Sequence, residues 1–331
     1  MNSVVVYGAT GHTGGFVVEE LLRRGVPTVI SGRDRSALET LASKWGDVEV
    51  RPAAVDDPAA LDGVLRGVAA VINCAGPFAV TADPVIEAAG RARIPYVDVA
   101  AEIEANVTTF ARRSTTPVVP AMAFYGGLGD LLTTAALGNG TTADEVHVAY
   151  GLSSWHPTPG TRTAGRVSHD RRNGRRVRFT SGALGYFDGG LAQQDWSFPE
   201  PLGRRRVIAD FTMPDVVTIP SHLAVQEVRS YMTVEAAGDL ASADTPAPAP
   251  VDALGRSDQM FVVDVVVRSG GGEMRATARG QDIYAISAPL AVEAVRRILA
   301  GETRGSGVAS AGATFDAADF LRALPLSVEL P

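Results

Sequence analysis

The sequence is poor in the residues on which several common kinds of site depend. Cys74 is its only cysteine, and five histidines are spread over 331 residues. A single cysteine excludes an internal disulfide and any zinc site built from several cysteines. The His-Glu-x-x-His motif of zinc proteases is also missing from the sequence. We therefore expect no metal site.

Lysine is equally scarce, because Lys44 is the only lysine among 30 lysine and arginine residues. It is predicted near the end of a surface helix, where Schiff-base catalysis or a buried lysine acid is not expected. Short-chain dehydrogenases use a tyrosine followed by a lysine four residues later. None of the seven tyrosines has a lysine at that distance, so this mechanism is excluded.

The sequence also lacks an excess of positive charge and long apolar runs. Its formal net charge of −7 argues against broad binding to nucleic acids or anionic membranes. No apolar run approaches the roughly 18 residues of a membrane span, and the first strand is predicted from residue 4 without a signal-like segment. We therefore expect a cytoplasmic protein with neither nucleic-acid nor membrane partners.

What the sequence does have, near its start, is a short apolar run followed by three regularly spaced glycines. Residues 4–7 are typical of a strand, Gly8, Gly11 and Gly14 follow, and an amphipathic helical pattern comes next. In such a turn the glycines allow a tight bend, close approach of a pyrophosphate, and close helix packing. The helix start offers unpaired N–H groups to phosphates. The loop is predicted to bind a dinucleotide; the alternative is a glycine turn without a ligand.

The end of the second predicted strand, residues 27–31, bears on the choice of dinucleotide. Arg33 is the first charged residue after it, and Ser31 and Arg35 lie beside it. Arginine suits the 2′-phosphate of NADP, whereas an acidic side chain accepts a hydrogen bond from the 2′-hydroxyl of NAD. NADP is therefore predicted. In the alternative, Asp34 binds the ribose of NAD and the arginines are solvated.

Strand and helix patterns alternate as far as residue 125. After the first two strands, the sequence predicts strands at 48–51, 68–73, 95–99 and 117–121, with helices at 36–44, 83–93 and 102–113 and one starting near residue 56. This alternation predicts an α/β fold of the Rossmann type, a doubly wound parallel sheet whose ligands bind beyond the carboxyl ends of the strands. That rim comprises residues 8–14, 31–33, 56, 74–78, 100–102 and 122–125. For Asp56 and Asp83, helix capping is the preferred interpretation.

From residue 126 the pattern changes to strands joined by turn signals. Strands are predicted at 145–151, 165–169, 175–181, 205–211, 228–235, 260–268 and 273–279, which indicates a second α+β domain on a mostly antiparallel sheet. Glycines 270–272 mark one hairpin, and residues 239–257 have the composition of a flexible or extended loop. The predicted domains are 1–125 for dinucleotide binding, 126–283 for substrate or oligomerisation, and 284–331 for C-terminal helices.

Asn173-Gly174 predicts a two-residue hairpin between two of these strands. Four arginines would lie at its tip, either as a clamp for an acidic substrate or coenzyme A phosphates, or as a solvated basic tip. They are Arg171, Arg172, Arg175 and Arg176.

Several segments together resemble the saccharopine dehydrogenase-like NADP-binding family, which includes saccharopine reductases and trans-acting enoyl reductases. The segments are Gly8-Ala-Thr-Gly-His-Thr-Gly14, Ser31-Gly-Arg33, Asn73-Cys-Ala-Gly-Pro-Phe78, Tyr96-Val-Asp-Val-Ala-Ala-Glu102, Pro120-Ala-Met-Ala-Phe124, Ile219-Pro-Ser-His222 and Gly280-Gln-Asp-Ile-Tyr284. The run Ala121-Met-Ala-Phe-Tyr125 departs from the family's usual glycine-phenylalanine-aspartate. The resemblance implies C-terminal helices that pack back on the cofactor domain.

The resemblance also implies sites for NADP(H). The pyrophosphate would be held by Gly8, Thr10, Gly11, His12, Thr13 and Gly14. Ser31 and Arg33 would hold the 2′-phosphate, and Cys74, Ala75, Gly76 and Pro77 would line the path to the nicotinamide. Gly32, Asp56 and Ala100 complete the predicted cofactor rim.

The expected activity is NADP(H)-dependent hydride transfer to a C=C, C=N or C=O bond of a small-molecule metabolite. The candidate proton donors are Glu102, Tyr125, His156 and His222, although ene reduction can take its proton from water. The alternative function is a non-catalytic NADP-binding sensor. An exposed antiparallel sheet could support a homodimer.

Overall fold

The computed structural model describes residues 3–46 and 48–331. Its first sheet has six strands: β1 (Val4–Tyr7), β2 (Thr28–Ser31), β3 (Glu49–Val50), β4 (Ala70–Asn73), β5 (Tyr96–Asp98) and β6 (Val118–Val119). All are parallel, in the order β3-β2-β1-β4-β5-β6. From β1 the chain adds strands first on one side (β2, β3) and then on the other (β4, β5, β6). At this switch point, between β1 and β4, a crevice opens at the carboxyl ends of the strands. The predicted doubly wound sheet is confirmed.

The two central strands, β1 and β4, are buried along their whole length. Their apolar side chains alternate between two hydrophobic clusters, with Val6 and Ile72 in one and Val5 and Val71 in the other. Both faces are therefore covered, which explains why these strands read as continuous apolar runs rather than alternating ones.

Five helices connect the six strands: α1 (His12–Arg23), α2 (Arg35–Ala42), α3 (Pro58–Val64), α4 (Phe78–Ala92) and α5 (Ile103–Phe110). Asp34 and Asp57 cap α2 and α3, because their carboxylates accept hydrogen bonds from the amides of Ala37 (3.0 Å) and Ala60 (2.9 Å). The capping role preferred for Asp56 is therefore wrong: Asp57 caps α3, and Asp56 is exposed.

The prediction that α4 begins at residue 83 is wrong. The helix begins at Phe78 and contains Pro84, so the proline does not mark its start. Asp83 is therefore inside the helix, where it forms an ion pair with Arg112 (2.8 Å) instead of capping.

The second sheet contains β7 (Thr142–Leu152), β8 (Arg176–Thr180), β9 (Ala183–Phe187), β10 (Gln193–Ser197), β11 (Arg204–Ala209), β12 (Ala224–Thr233), β13 (Met260–Ser269), β14 (Gly272–Gln281) and β15 (Ser327–Glu329). Its main path runs β10-β11-β12-β7-β13-β14-β15, with β8 and β9 beside it. Only the β12–β7 pair among these pairings is parallel. The mostly antiparallel second domain is confirmed.

The remaining helices are α6 (Gly129–Leu137), α7 (Pro159–Arg171), α8 (Asp215–Thr218), α9 (Val234–Ala241), α10 (Ser287–Leu299), α11 (Ala311–Thr314) and α12 (Ala317–Arg322). Helix α10 returns to the first sheet and packs against α1. Glu293 of α10 accepts hydrogen bonds from Arg24 (2.7 Å) and Arg297 (2.8 Å) at this contact. Strand β15, by contrast, joins the second sheet.

Helix α7 replaces the strand that the sequence predicts at residues 165–169. Thr158 caps the helix by accepting a hydrogen bond from the amide of Thr161 (3.0 Å), and Pro159 occupies the first turn. A capping threonine followed by proline is a helix-start signal. The strand predicted at residues 165–169 is therefore wrong.

The hairpin predicted at Asn173-Gly174 is also wrong. Both residues have positive φ (52° and 73°), and the Gly174 amide donates to the carbonyl of His169 (2.9 Å), which closes the end of α7. An Asn-Gly pair satisfies a helix C-cap as readily as a hairpin. The hairpin turn is Ser181-Gly182, between β8 and β9.

The proline-rich segment predicted as a flexible or extended loop is held by specific hydrogen bonds. Arg162 of α7 donates to the carbonyls of Ser242 (2.9 Å) and Thr245 (3.0 Å), and His156 Nδ1 lies 3.2 Å from the carbonyl of Pro246. The first residues of the segment belong to α9. The loop and α7 therefore form one connected surface.

A buried ion pair joins the second domain to the C-terminal segment. His222 Nε2 lies 2.7 Å from Asp130 Oδ1, and Asp130 Oδ2 accepts a hydrogen bond from the amide of Gly312 (2.6 Å). Burial disfavours the charged imidazole, but the charge and hydrogen bond of Asp130 outweigh it, so the pKa of His222 is raised. Protonated His222 thus contributes to stability.

No helix in residues 3–46 and 48–331 is long and apolar enough to span a membrane.

We predict that Asp57→Ala lowers the free energy of unfolding by about 1 kcal/mol, because it removes the α3 cap. Urea denaturation measures this change. Asp56→Ala is the matched control and should change stability by less than about 0.5 kcal/mol. Equal losses for the two variants would contradict the capping assignment.

The His222–Asp130 pair predicts a pH-dependent stability difference between the wild-type chain and His222→Gln. The pKa of His222 is raised in the folded state, so its stabilisation is complete below the unfolded-state pKa and is lost as pH rises through the folded pKa. The stability deficit of the variant should therefore be larger at pH 6 than at pH 8.5. Chemical denaturation at both pH values measures it, and a pH-independent deficit would contradict the prediction.

Candidate functional site

The first part of the site is the glycine loop between β1 and α1. A Cβ atom on Gly8, whose φ is +86°, would lie 2.6 Å from the backbone nitrogen of Ala75 after β4. A Cβ on Gly14 would lie 2.2 Å from the carbonyl oxygen of Gly8, whereas one on Gly11 would come no closer than 3.2 Å to that oxygen. Gly8 and Gly14 therefore pack the loop, and Gly11 lies at its exposed surface.

Helix α1 begins at this loop without a side-chain cap. Gly11 is extended (φ −75°, ψ 160°), and no side chain accepts a hydrogen bond from the first turn. Thr10, Gly11 and His12 are exposed. The first amides of the helix and its positive dipole end thus face an open surface, which suits an anionic phosphate group.

Arg33 and Asp34, the two candidates for binding the adenosine ribose, have different environments after β2. The carboxylate of Asp34 is engaged as the α2 cap, and Arg35 pairs with Glu39 (3.4 Å). Arg33 is exposed and forms no ion pair with the rest of the described chain. Ser31 is fully buried, its hydroxyl has no hydrogen-bond partner in the described structure, and its carbonyl accepts from Gly8 (2.8 Å).

Arg33 and Asp56 both lie near Tyr7 at the end of β1. Burial and the charge of Asp56 raise the pKa of Tyr7, and Arg33 opposes them. The Tyr7 hydroxyl donates to the carbonyl of Ala53 (3.3 Å). Beside this region, a cavity of about 420 Å³ opens between the glycine loop and α2. Its lining residues are Thr10, Asp34, Ser36, Ala37, Thr40, Leu41 and Lys44.

The loop after β4 forms the opposite wall of the crevice. The Cys74 amide donates to the carbonyl of Tyr7 (2.7 Å), and the Ala75 amide donates to Asn73 Oδ1 (3.0 Å). Gly76 is exposed and Pro77 is half-buried. Burial raises the pKa of the Cys74 thiol strongly, followed by the charge of Asp98. The cysteine is therefore a neutral wall residue and not a thiolate nucleophile.

A buried hydrogen-bond network connects this loop to the ends of β5 and β6. Asn73 Nδ2 donates to the Tyr96 hydroxyl (3.1 Å), which donates to Asp98 Oδ2 (2.8 Å). Asp98 Oδ1 accepts from the amides of Ala100 (3.0 Å) and Ala121 (2.8 Å). Burial raises the pKa of Asp98 to about 6, against the opposing effect of these hydrogen bonds. One carboxylate thus fixes three loops of the rim.

Glu102 lies at the rim but is fully engaged there. Its two carboxylate oxygens accept hydrogen bonds from the first amides of α4, those of Phe78 (2.7 Å) and Ala79 (3.0 Å). Its pKa is raised by burial despite these bonds. This geometry makes Glu102 a cap that positions the loop after β4.

Tyr125 lies beyond β6 in an irregular stretch of backbone. Ala121 and Gly126 have positive φ (54° and 92°), and Tyr125 itself has non-helical angles inside the wide turn Phe124–Leu128. Its ring packs against Trp155 (5.2 Å between centroids) and Tyr150 (4.9 Å). The Tyr125 hydroxyl is buried and has no hydrogen-bond partner in the described structure.

The two histidine candidates do not join this rim. His156 lies beside the proline-rich loop through Pro246, and His222 forms the ion pair with Asp130. The histidine that does lie at the loop is His12, whose ring meets the edges of Phe16 and Tyr284 (both 5.2 Å between centroids). Burial lowers the pKa of His12, against the charge of Asp282.

Helix α7 passes from the glycine loop towards α5. At its start, Thr161 Oγ1 lies 2.9 Å from the hydroxyl of Tyr284, the residue that contacts His12. Towards its end, Ser168 donates to Glu104 (2.5 Å) of α5. Sequence reasoning missed this helix entirely because it predicted a strand there.

The four arginines predicted at a hairpin tip are placed individually around the end of α7. Arg172 donates to Ser168 (2.8 Å) and lies 3.7 Å from Glu104, whereas Arg171 is exposed. Arg175 lies over the ring of Tyr186, and Arg176 donates to the carbonyl of Asp210. They form no common clamp.

Residues 3–46 and 48–331 contain no group of three or more histidine, cysteine, aspartate or glutamate side chains placed to hold a metal ion.

Comparison with known proteins agrees with this geometry. The family model described as the saccharopine dehydrogenase NADP binding domain matches residues 4–122, which confirms the predicted cofactor, NADP(H). A saccharopine dehydrogenase-like oxidoreductase from Bos taurus is 32% identical over 117 residues, covering 30% of this chain and 27% of the relative. A lipid droplet localized protein from Caenorhabditis elegans is 34% identical over 111 residues, covering 30% and 26%. The match thus spans about a quarter of each relative.

The fold likeness extends through both sheets. The apo structure of saccharopine dehydrogenase (L-Glu forming) from Saccharomyces cerevisiae matches with a TM-score of 0.64 at 11% identity, covering 100% of each chain. At this identity the match establishes the two-domain fold. The glycine loop and the parallel sheet thus lie within residues 4–122, the part of the chain that matches the saccharopine dehydrogenase NADP binding domain.

Proposed function

We propose that this chain is an NADP(H)-dependent reductase that transfers hydride to a C=C, C=N or C=O bond of a small-molecule metabolite. The observation that carries the proposal is the charge arrangement after β2. Asp34, which could have bound an NAD ribose, is engaged as a helix cap, whereas Arg33 is exposed without an ion-pair partner in the described chain. This arrangement favours a ligand with a 2′-phosphate.

The residues at the rim fit each part of the dinucleotide. The uncapped start of α1 offers amides to the pyrophosphate, Arg33 offers its guanidinium to the 2′-phosphate, and the cavity beside α2 has room for the adenosine end. The loop at Cys74–Pro77 would form the wall beside the nicotinamide. The bound cofactor supplies the hydride. The protein supplies binding, orientation and exclusion of water.

The second domain supports a catalytic role over simple binding. Helix α7 connects Tyr284, which contacts His12, to Glu104 of α5, and with the proline-rich loop that Arg162 holds it would form a cover contributed by that domain. A reductase needs such a cover to place a second molecule against the nicotinamide and to exclude water from it. A sensor needs only the first sheet.

Arg33→Ala should weaken NADPH binding at least tenfold, about 1.4 kcal/mol, because it removes the cation at the 2′-phosphate. Binding of NADH should change little. Isothermal titration with both nucleotides measures the difference, and Arg35→Ala, which removes an arginine already paired with Glu39, is the matched control. An equal loss for NADH and NADPH would refute the role of Arg33.

Gly8→Ala should destabilise the fold by roughly 1–3 kcal/mol and reduce NADPH affinity, because the new Cβ meets the backbone of Ala75 at a positive φ. Gly15→Ala is the matched control, since a Cβ there meets no atom within 4 Å. Thermal unfolding and NADPH titration measure both variants. Normal stability and affinity in Gly8→Ala would show that the close contact is not required.

Turnover tests the proposed activity itself. Oxidation of NADPH in the presence of an enone, an imine or a ketone from a broad panel is the expected result. Firm NADPH binding with no turnover of any panel member would favour the non-catalytic sensor.

A further inference from the structure

The hydroxyl of Tyr125 is a buried polar group without a partner in the described structure. The tyrosine is 8% exposed, and its oxygen accepts or donates no hydrogen bond there. Leaving a buried hydroxyl unpaired costs about 1–3 kcal/mol. Burial raises the pKa of this hydroxyl well above its usual value, so it carries its proton throughout the neutral range. An unpaired, protonated donor at the rim calls for a ligand that accepts from it.

Each of the three other candidate donors has at least one side-chain hydrogen bond within the described chain. Both oxygens of Glu102 accept from α4 amides, His156 is placed against the carbonyl of Pro246, and His222 is paired with Asp130. Tyr125 is the one of the four candidates whose side chain forms no hydrogen bond within the described chain.

The backbone around Tyr125 holds it beyond the carboxyl end of β6. Ala121 adopts a left-handed conformation (φ 54°) that is unfavourable for a residue with a side chain, and its amide is fixed by Asp98 (2.8 Å). Asp98 also fixes Ala100 and, through Tyr96 and Asn73, the loop after β4. Strained backbone of this kind clusters at functional sites. The network therefore couples the position of Tyr125 to the wall of the crevice.

The neighbours of Tyr125 also connect it to the glycine loop. Its ring packs on Trp155, the Trp155 indole donates to the hydroxyl of Tyr284 (3.2 Å), and the Tyr284 ring contacts His12. The charges of Tyr284 and of the buried Asp215 in α8 raise the pKa of the Tyr125 hydroxyl further. This chain of contacts runs from Tyr125 to the first residue of α1.

We infer that the Tyr125 hydroxyl faces the reactive end of the bound dinucleotide and donates the proton that completes the reduction. The inference rests on the proposed function. It is motivated by the unpaired hydroxyl and by the contacts that link its ring to both walls of the crevice.

The proposed step is balanced in atoms and charge. The acceptor carbon gains a hydride from the reduced nicotinamide, and the π bond breaks. The oxygen or nitrogen of the acceptor, or the α-carbon of an enone through its enol, takes the proton from the Tyr125 hydroxyl. The resulting tyrosinate regains a proton from solvent when the product leaves. The sum is substrate plus NADPH plus one proton giving reduced product and NADP⁺.

This buried hydroxyl must also become accessible when a ligand binds. Trp155 covers the Tyr125 ring and is held by Tyr284 and by Asp239, which accepts from the Trp155 amide (2.9 Å). The segment that carries Trp155 leads directly into α7. A shift of α7 and Trp155 together would bring the hydroxyl into contact with substrate.

The position of Tyr125 is tested by fluorine NMR of the full chain labelled with 3-fluorotyrosine, without reference to activity. The chain has seven tyrosines, and the Tyr125 resonance is the one lost in Tyr125→Phe. Saturating NADP⁺ should shift this resonance and leave that of Tyr186, on the exposed β8–β9 hairpin, unchanged. No shift of the Tyr125 resonance with NADP⁺ bound would overturn its placement at the dinucleotide.

The proton-donor role is tested by kinetics on a substrate found in the enone, imine and ketone panel. Tyr125→Phe should lower kcat at least about 100-fold while the Kd for NADP⁺ stays within about twofold of wild type. Tyr186→Phe, which changes an exposed tyrosine, is the matched control and should retain full activity.

The outcomes separate this inference from the proposed function. Wild-type turnover with an equally active Tyr125→Phe would overturn the donor role and leave the reductase proposal standing. Absence of wild-type turnover would refute the reductase proposal and the donor role together, and the NMR shift would then decide the placement of Tyr125 independently.

Discussion

The contact between Gly8 and Ala75 is the constraint on which the site depends. The backbones after β1 and β4 approach so closely that a Cβ on Gly8 would not fit between them. In the residues just before this contact, the Cys74 amide donates a hydrogen bond to the carbonyl of Tyr7. The carbonyl of Ser31 accepts the Gly8 amide and so fixes the end of β2 to the same loop. This contact sets the direction in which α1 leaves the sheet and leaves its first amides facing outward. An anion-binding surface follows from backbone packing before any ligand is considered.

A second constraint is the buried carboxylate of Asp98. Burying a charge is costly unless it is well hydrogen-bonded, and Asp98 accepts two backbone amides and one tyrosine hydroxyl. The cost is visible in a pKa raised to about 6. In return, the loops after β4, β5 and β6 have a common anchor. Glu102 acts similarly on the start of α4, so two acidic residues position the loops that follow β4, β5 and β6.

The sequence predicts the parts of the fold that depend on local patterns. The glycine spacing at 8, 11 and 14 and the apolar run at 68–73 indicate the strand–loop–helix unit and the central strand correctly. The start of α4 and the whole of α7 were missed. The start of α4 at Phe78 depends on a cap from Glu102, which lies 24 residues away in sequence. Helix α7 ends at Asn173-Gly174, and an Asn-Gly pair suits a helix C-cap as well as a β-hairpin turn.

The same distinction applies to the site. Arg33 and the glycine loop could be selected from sequence because their positions follow from the order of strand and helix. That Asp34 is a helix cap, that Glu102 is fully engaged and that Tyr125 is unpaired depends on contacts between segments distant in sequence. Residue type alone makes each of these side chains a candidate, and their partners in the fold distinguish them.

The central claim is that NADP(H) lies over the contact between Gly8 and Ala75, and amide hydrogen exchange tests it most directly. Saturating NADPH should slow exchange in residues 8–15, 31–36 and 74–79, which form the loop, the end of β2 and the wall after β4. Exchange in residues 181–187 of the β8–β9 hairpin should be unchanged. Protection confined to the second sheet, or none in residues 8–15, would contradict the account.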